Sequence, residues 1–190
     1  MKIEPFKIYL FLTLICINTF SFSASKDNQE FYNWLLAQYK SDPTLTTNQI
    51  VREPELEKFL KNNISSKELL YLGMTRKGNK DTFKSHLNIV LGGPPDRIKF
   101  LKDDIILITA CRYQSCPEKG LIWIDTKKDK KFFVVISYFF NSDVMYRDGF
   151  AIIYSEDFKN KQDFPSAFWQ TLENWLSSHK IQNYQIKILN

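Results

Sequence analysis

Glycine, histidine and cysteine are all scarce in this chain. Six glycines in 190 residues are too few for a phosphate-cradling or collagen-like chain. The two histidines, His86 and His179, stand far apart. A metal site needs clustered His, Cys, Asp or Glu, and no such cluster is visible, so neither a metal nor a cofactor is expected. No nucleophile elbow marks a hydrolase. The acid pairs Asp103-Asp104 and Glu156-Asp157 fall where elements should end. Glycosidase carboxylates must face each other across a substrate, so these pairs read as solvated turns. With no catalytic constellation, an enzyme is not expected.

Disorder is also excluded. Hydrophobic residues make up 44% of the chain and aromatics 15%, enough for a core in one domain of this length. The net charge of +5 is modest. The run Lys127 to Lys131, KKDKK, reads as a hairpin tip. Aromatics are not interleaved with it as a nucleic-acid surface would require, so no nucleic-acid partner is expected.

Residues 1–24 have the pattern of a secretory signal. Lys2 and Lys7 precede an apolar stretch from Ile8 to Phe20, and small residues follow. The stretch is too short to cross a bilayer comfortably. Cleavage after Ser23 or Ala24 fits; the alternative is an uncleaved anchor. Leu14-Ile15 before Cys16 does not suit a lipidation signal. Residues 25–190 then form a single domain, periplasmic or secreted, with no stable membrane span. Lys2, Lys7 and Glu4 carry one of the five positive charges away, leaving +4. A homodimer stays open.

The first half reads as helical. Phe31, Trp34, Leu35 and Tyr39 recur at helical spacing, as do Leu56, Phe59 and Leu60. SSKELLYLGM suggests a short helical turn, and Thr75 to Lys84 an exposed loop. The second half reads as a sheet. HLNIVL, His86 to Leu91, is taken as a strand stopped by GGPPD. RIKFL and IILITAC flank a bend, and GLIWIDT and KKFFVVISYFF flank KKDK. GFAIIYS is another strand, and NYQIKIL an edge strand. Ile105 to Ile108 and Phe132 to Phe140 are apolar without alternation, which predicts strands covered on both faces. DFPSAFWQTLENWLSSH predicts a helix with Asp163 as cap and Pro165 in its first turn. Phe164, Phe168, Leu172, Trp175 and Leu176 line its inner face. The fold expected is α+β: a mainly antiparallel sheet of about five strands with helices packed on it.

Once Cys16 leaves with the signal, Cys111 and Cys116 are the only pair. A redox pair is normally closer and opens a helix; a zinc site needs two more ligands. In an oxidising compartment a disulfide is the default. Closing so small a ring contributes only about 2 kcal/mol. The ring therefore serves either as a staple at a strand end or as local stiffening of a projecting loop. A stiffened loop loses less entropy on docking.

A strand ending in ITAC, then RYQSC, then GLIWID with its Trp123, resembles the inhibitor of vertebrate lysozyme family. GGPPDRI upstream adds to the likeness, which covers about a quarter of the chain. That family's hallmark loop is Cys-Lys-Pro-His-Asp-Cys. The resemblance implies a periplasmic α+β protein whose loop enters the active-site cleft of c-type lysozyme, the loop histidine engaging the catalytic carboxylates. Position by position, Arg112 keeps the cation, Tyr113 replaces proline, Gln114 replaces the histidine and Ser115 the aspartate. Arg112, Tyr113, Gln114 and Ser115 are thus the expected target-binding residues, with Arg112 and Gln114 pointing outward. Animal lysozymes are strongly basic, and a +4 protein meets them against like charge. A bacterial lytic transglycosylase or muramidase is the other expected partner. The alternative to an inhibitor is an envelope or secreted interaction protein that kept the fold without inhibiting lysozyme.

Overall fold

A computed structural model describes residues 25–65, 69–72, 80–101 and 104–190. The signal-like residues 1–24 lie outside them, as do 75–79 of the expected loop. Among these residues, five α-helices, α1 (Lys26–Ser41), α2 (Thr47–Ile50), α3 (Pro54–Asn63), α4 (Phe83–Leu91) and α5 (Ser166–Ser178), surround a six-stranded sheet. Its strands run in the order β3 (Lys99–Leu101), β4 (Ile105–Arg112), β5 (Ser115–Asp125), β6 (Lys130–Ser137), β7 (Gly149–Tyr154) and β8 (Tyr184–Leu189). Neighbours from β3 to β7 are antiparallel, and β8 joins β7 in parallel after the α5 crossover. A two-stranded ribbon, β1 (Leu69–Leu70) with β2 (Asp81–Thr82), stands apart. The fold is α+β, with one strand more in the main sheet than expected.

The unbroken apolar runs are explained by two cores. Ile122, Ile124, Phe133 and Val135 pack on one side with Phe31, Leu35, Phe59 and Leu87. Leu121, Trp123, Phe132 and Val134 pack on the other with Phe168, Leu172 and Leu176. Period-2 alternation sends successive residues to opposite faces, and both faces are covered. Trp123 is fully buried, 5.2 Å from the Phe132 ring and 5.9 Å from Phe168. Each such side chain contributes about 1.5–3 kcal/mol of burial.

Five local expectations are corrected. His86 to Leu91 is not a strand but most of α4. Phe83, Leu87, Val90 and Leu91 form its buried face, and the Thr82 hydroxyl caps it by accepting from the Ser85 N–H at 3.1 Å. The helical period becomes visible only when Phe83 is counted with the run. That start also takes Phe83 and Lys84 out of the expected loop. The turn expected in SSKELLYLGM is replaced at Leu69–Leu70 by β1. Asp163 does not cap α5. The position is taken by Pro165, while the Asp163 carboxylate accepts from the Asn160 backbone N–H at 3.2 Å in the preceding 3-10 turn. The apolar run from Phe132 stops being strand at Ser137, leaving Tyr138, Phe139 and Phe140 half-buried.

Candidate functional site

The sharpest local feature is the connection between β4 and β5. Arg112 pairs with Ser115 across the two-residue turn Tyr113-Gln114, and Gln114 takes a φ of 62°. Of the two central residues only Gln114, the second, is left-handed, which is the type II pattern, where Gly or Asn is usual. Cys111, however, pairs with Lys119. Cys116, Pro117 and Glu118 are therefore extra residues on β5, a bulge at the base of the turn. A disulfide joins Cys111 to Cys116, with their Cα atoms 4.8 Å apart. The ring and the bulge together fix the direction of the tip.

The tip is open to solvent. Tyr113 is 69% exposed and Gln114 is exposed, with Ser115 half-buried. Arg112 is the exception to the expected outward set. Its Nη1 donates to Glu118 Oε2 at 2.9 Å, and its side chain keeps 25% exposure against 6% for Glu118. The bulge is the cause: it swings Glu118 beneath the turn, where a carboxylate removed from water needs a cation. Ser137 Oγ lies 3.5 Å from the other Glu118 oxygen.

The irregular segment 93–98 buttresses the same turn. The Cys111 N–H donates to the Pro94 carbonyl at 3.2 Å, and the Asp96 N–H to the Thr109 carbonyl at 3.2 Å. Thr47 Oγ1 donates to that Thr109 carbonyl at 2.6 Å, and Thr109 Oγ1 donates to the Asp96 carboxylate at 2.6 Å. GGPPD is thus more than a turn: its prolines lie along β4, on an edge where their missing N–H is not needed. Burial lowers the Lys119 pKa, with Asp96 acting in the opposite direction.

His86 is buried in α4, and its Nε2 has no hydrogen-bond partner among the described residues. Burial depresses its pKa; Asp81 opposes the shift and the Arg112 guanidinium adds to it. The folded state therefore holds fewer protons than the unfolded state below pH about 6.5. By linkage, this histidine's contribution to stability is complete above that pH and is lost as the pH falls below it. Replacing His86 with Leu should flatten the decline between pH about 6.5 and 5, read as urea midpoints across that range. An unchanged slope would place the titrating group elsewhere.

Of the expected binding residues, the structure groups Tyr113, Gln114 and Ser115 on one turn and directs Arg112 inward. Glu118, Gly93 and His86 are the site's unforeseen members. Among the described residues, no group of three or more His, Cys, Asp or Glu could hold a metal ion. Nor is any helix there long and apolar enough to cross a membrane. No protein-family model, curated protein or solved structure matches this chain.

Proposed function

We propose that the chain is an exported, non-enzymatic protein that seats the 111–116 turn in the active-site cleft of a peptidoglycan-cleaving glycosidase. The partner is a c-type lysozyme or a bacterial lytic transglycosylase or muramidase. The observation that supports this reading is a covalently closed turn whose Tyr113 and Gln114 face solvent at the end of two central strands. Little ordering entropy remains to be lost when such a turn docks. The chemistry shifts from that implied by the family loop. With Arg112 held by Glu118, the cleft would meet Tyr113 and Gln114. The Gln114 amide can donate to an ionised carboxylate and accept from a protonated one. Tyr113 supplies a rigid aromatic anchor of the kind that dominates interfaces.

The test is inhibition of a lysozyme panel, with capture from periplasm, using the native chain, Tyr113→Ala and Gln114→Ala. Each substitution should weaken binding by about tenfold or more, and Gln114→His should strengthen inhibition of c-type lysozyme. Binding indifferent to both alanine substitutions would defeat the docking mechanism.

One observation favours a second reading, an envelope or secreted interaction protein without lysozyme inhibition. Val144, Met145 and Tyr146 are 72%, 60% and 43% exposed. They lie in the β6–β7 connection, at the same end of the sheet as the turn, where Lys119 of β5 pairs with Ile136 of β6. An apolar surface beside the tip suits a broad protein face more than a narrow sugar cleft. A captured partner that is not a glycosidase, lost on Tyr113→Ala, would select this reading.

A further inference from the structure

Asp129 sits at the β5–β6 turn with a φ of 51° and a side chain only 13% exposed. Its carboxylate accepts from Tyr32 Oη at 2.8 Å and from Asn28 Nδ2 at 3.1 Å, and pairs with Lys131 Nζ at 3.1 Å. The Ser25 backbone N–H, at the start of α1, donates to its Oδ2 at 3.3 Å. Asn28 in turn accepts from Asn63 Nδ2 of α3 at 2.8 Å. One carboxylate thus gathers the beginning of the first helix onto a hairpin about a hundred positions away. Burial works against ionisation of Asp129, but the hydrogen bonds from Tyr32 and Lys131 hold its pKa below the ordinary value. The negative charge is therefore settled at this spot.

The backbone nitrogen that reaches this carboxylate belongs to the first residue after the signal-like segment. We propose that export cuts the Ala24–Ser25 bond and that the α-ammonium group released on Ser25 forms an ion pair with Asp129. The proposal rests on the export reading. A leader endoprotease adds water across the peptide bond. The hydroxyl goes to the Ala24 carboxyl and a hydrogen to the Ser25 nitrogen, which takes up a proton near neutral pH. A neutral amide donor becomes a cation with its acceptor already in place. A cut after Ser23 would put the new charge one residue earlier, on Ala24, and leave the neutral amide at Ser25. The Ser25 side chain still caps α1, accepting from the Asn28 N–H at 3.3 Å. The unfavourable placement of a cation at a helix N-terminus is offset by Asp129 and by Asp27 in the first turn.

The experiment uses the full chain, expressed with its own residues 1–24 and recovered from the exported fraction. Its intact mass should begin at Ser25. This product is compared with its Nα-acetylated form and with a chain beginning at Ala24. Both should melt about 2–4 °C lower, and the differences should vanish in about 1 M salt. In Asp129→Asn, acetylation should change nothing. If Asp129→Asn does not fold, NMR titration of the native product decides, with a Ser25 α-amine pKa above about 8 expected. Recovery of exported chain still carrying residues 1–24 overturns the export reading. A mature chain beginning elsewhere overturns the cleavage site. A chain beginning at Ser25 whose melting ignores acetylation, or whose shift persists in Asp129→Asn, overturns the ion pair alone.

Discussion

Gly93→Ala should destabilise the protein by about 3 kcal/mol, the upper end of ordinary overpacking costs, and, on the proposed docking function, should abolish partner capture through the 111–116 turn. A β-carbon built on Gly93 would lie 2.1 Å from the Cys111 carbonyl oxygen, 2.3 Å from the Tyr113 nitrogen and 2.6 Å from the Arg112 carbonyl carbon. All three are backbone atoms, held by the strand ladder, the disulfide and the Pro94 carbonyl. None can rotate away as a side-chain tip can. Gly120 offers the contrast. Its β-carbon would come within 2.7 Å of Val90 Cγ2 and 2.9 Å of Leu91 Cδ2, which are side-chain atoms on α4 rather than backbone. Urea melts of Gly93→Ala, read beside partner capture, check the expectation. Native stability in that variant would mean that the 93–98 segment does not hold the turn.

Glu118→Ala should cost about 2–3 kcal/mol. Removing one partner of a buried pair commonly costs about 3–5 kcal/mol, because the other charge stays buried. Here the loss is smaller, since Arg112 retains a quarter of its exposure and can turn toward water. The double variant Arg112→Met with Glu118→Leu should recover most of the stability, as apolar replacement of a buried pair often does. Denaturant midpoints for the two single variants and the double variant complete the cycle. A double variant as unstable as Glu118→Ala would show that the pair's energy lies in its surroundings, not in the charge left behind.

The β5–β6 hairpin and the α5 face were legible in the chain because their signals are local. KKDK separates two apolar runs, and Phe164, Phe168, Leu172, Trp175 and Leu176 keep helical spacing. Helix α4 is hidden in the sequence because its apolar period starts at Phe83, ahead of the run His86 to Leu91. His86 to Leu91 alone fits a strand, and Thr82 and Phe83 carry the missing evidence of a capped helix. The candidate site was legible as a cysteine pair, since five residues of separation leave few geometries. The direction of Arg112 was not. It depends on three extra residues in β5 that bring Glu118 beneath the turn, and register is a property of two strands together. The role of Gly93 is not legible for a related reason: its neighbour in space is the turn, which begins at Cys111, eighteen positions along the chain.

The edge formed by Pro94 and Pro95 has a consequence for self-association. An exposed strand edge is a template on which another chain can polymerise. On the β3 side, the pairing strand is only three residues long, and two prolines without N–H groups precede it. A neighbouring molecule finds almost no ladder to extend there. The six residues of β8 form the opposite edge, the longer place for two copies to zip together, and β6 and β7 separate that edge from the disulfide hairpin. Two copies paired through β8 would therefore leave the tip uncovered, because the two features lie on different flanks of the sheet.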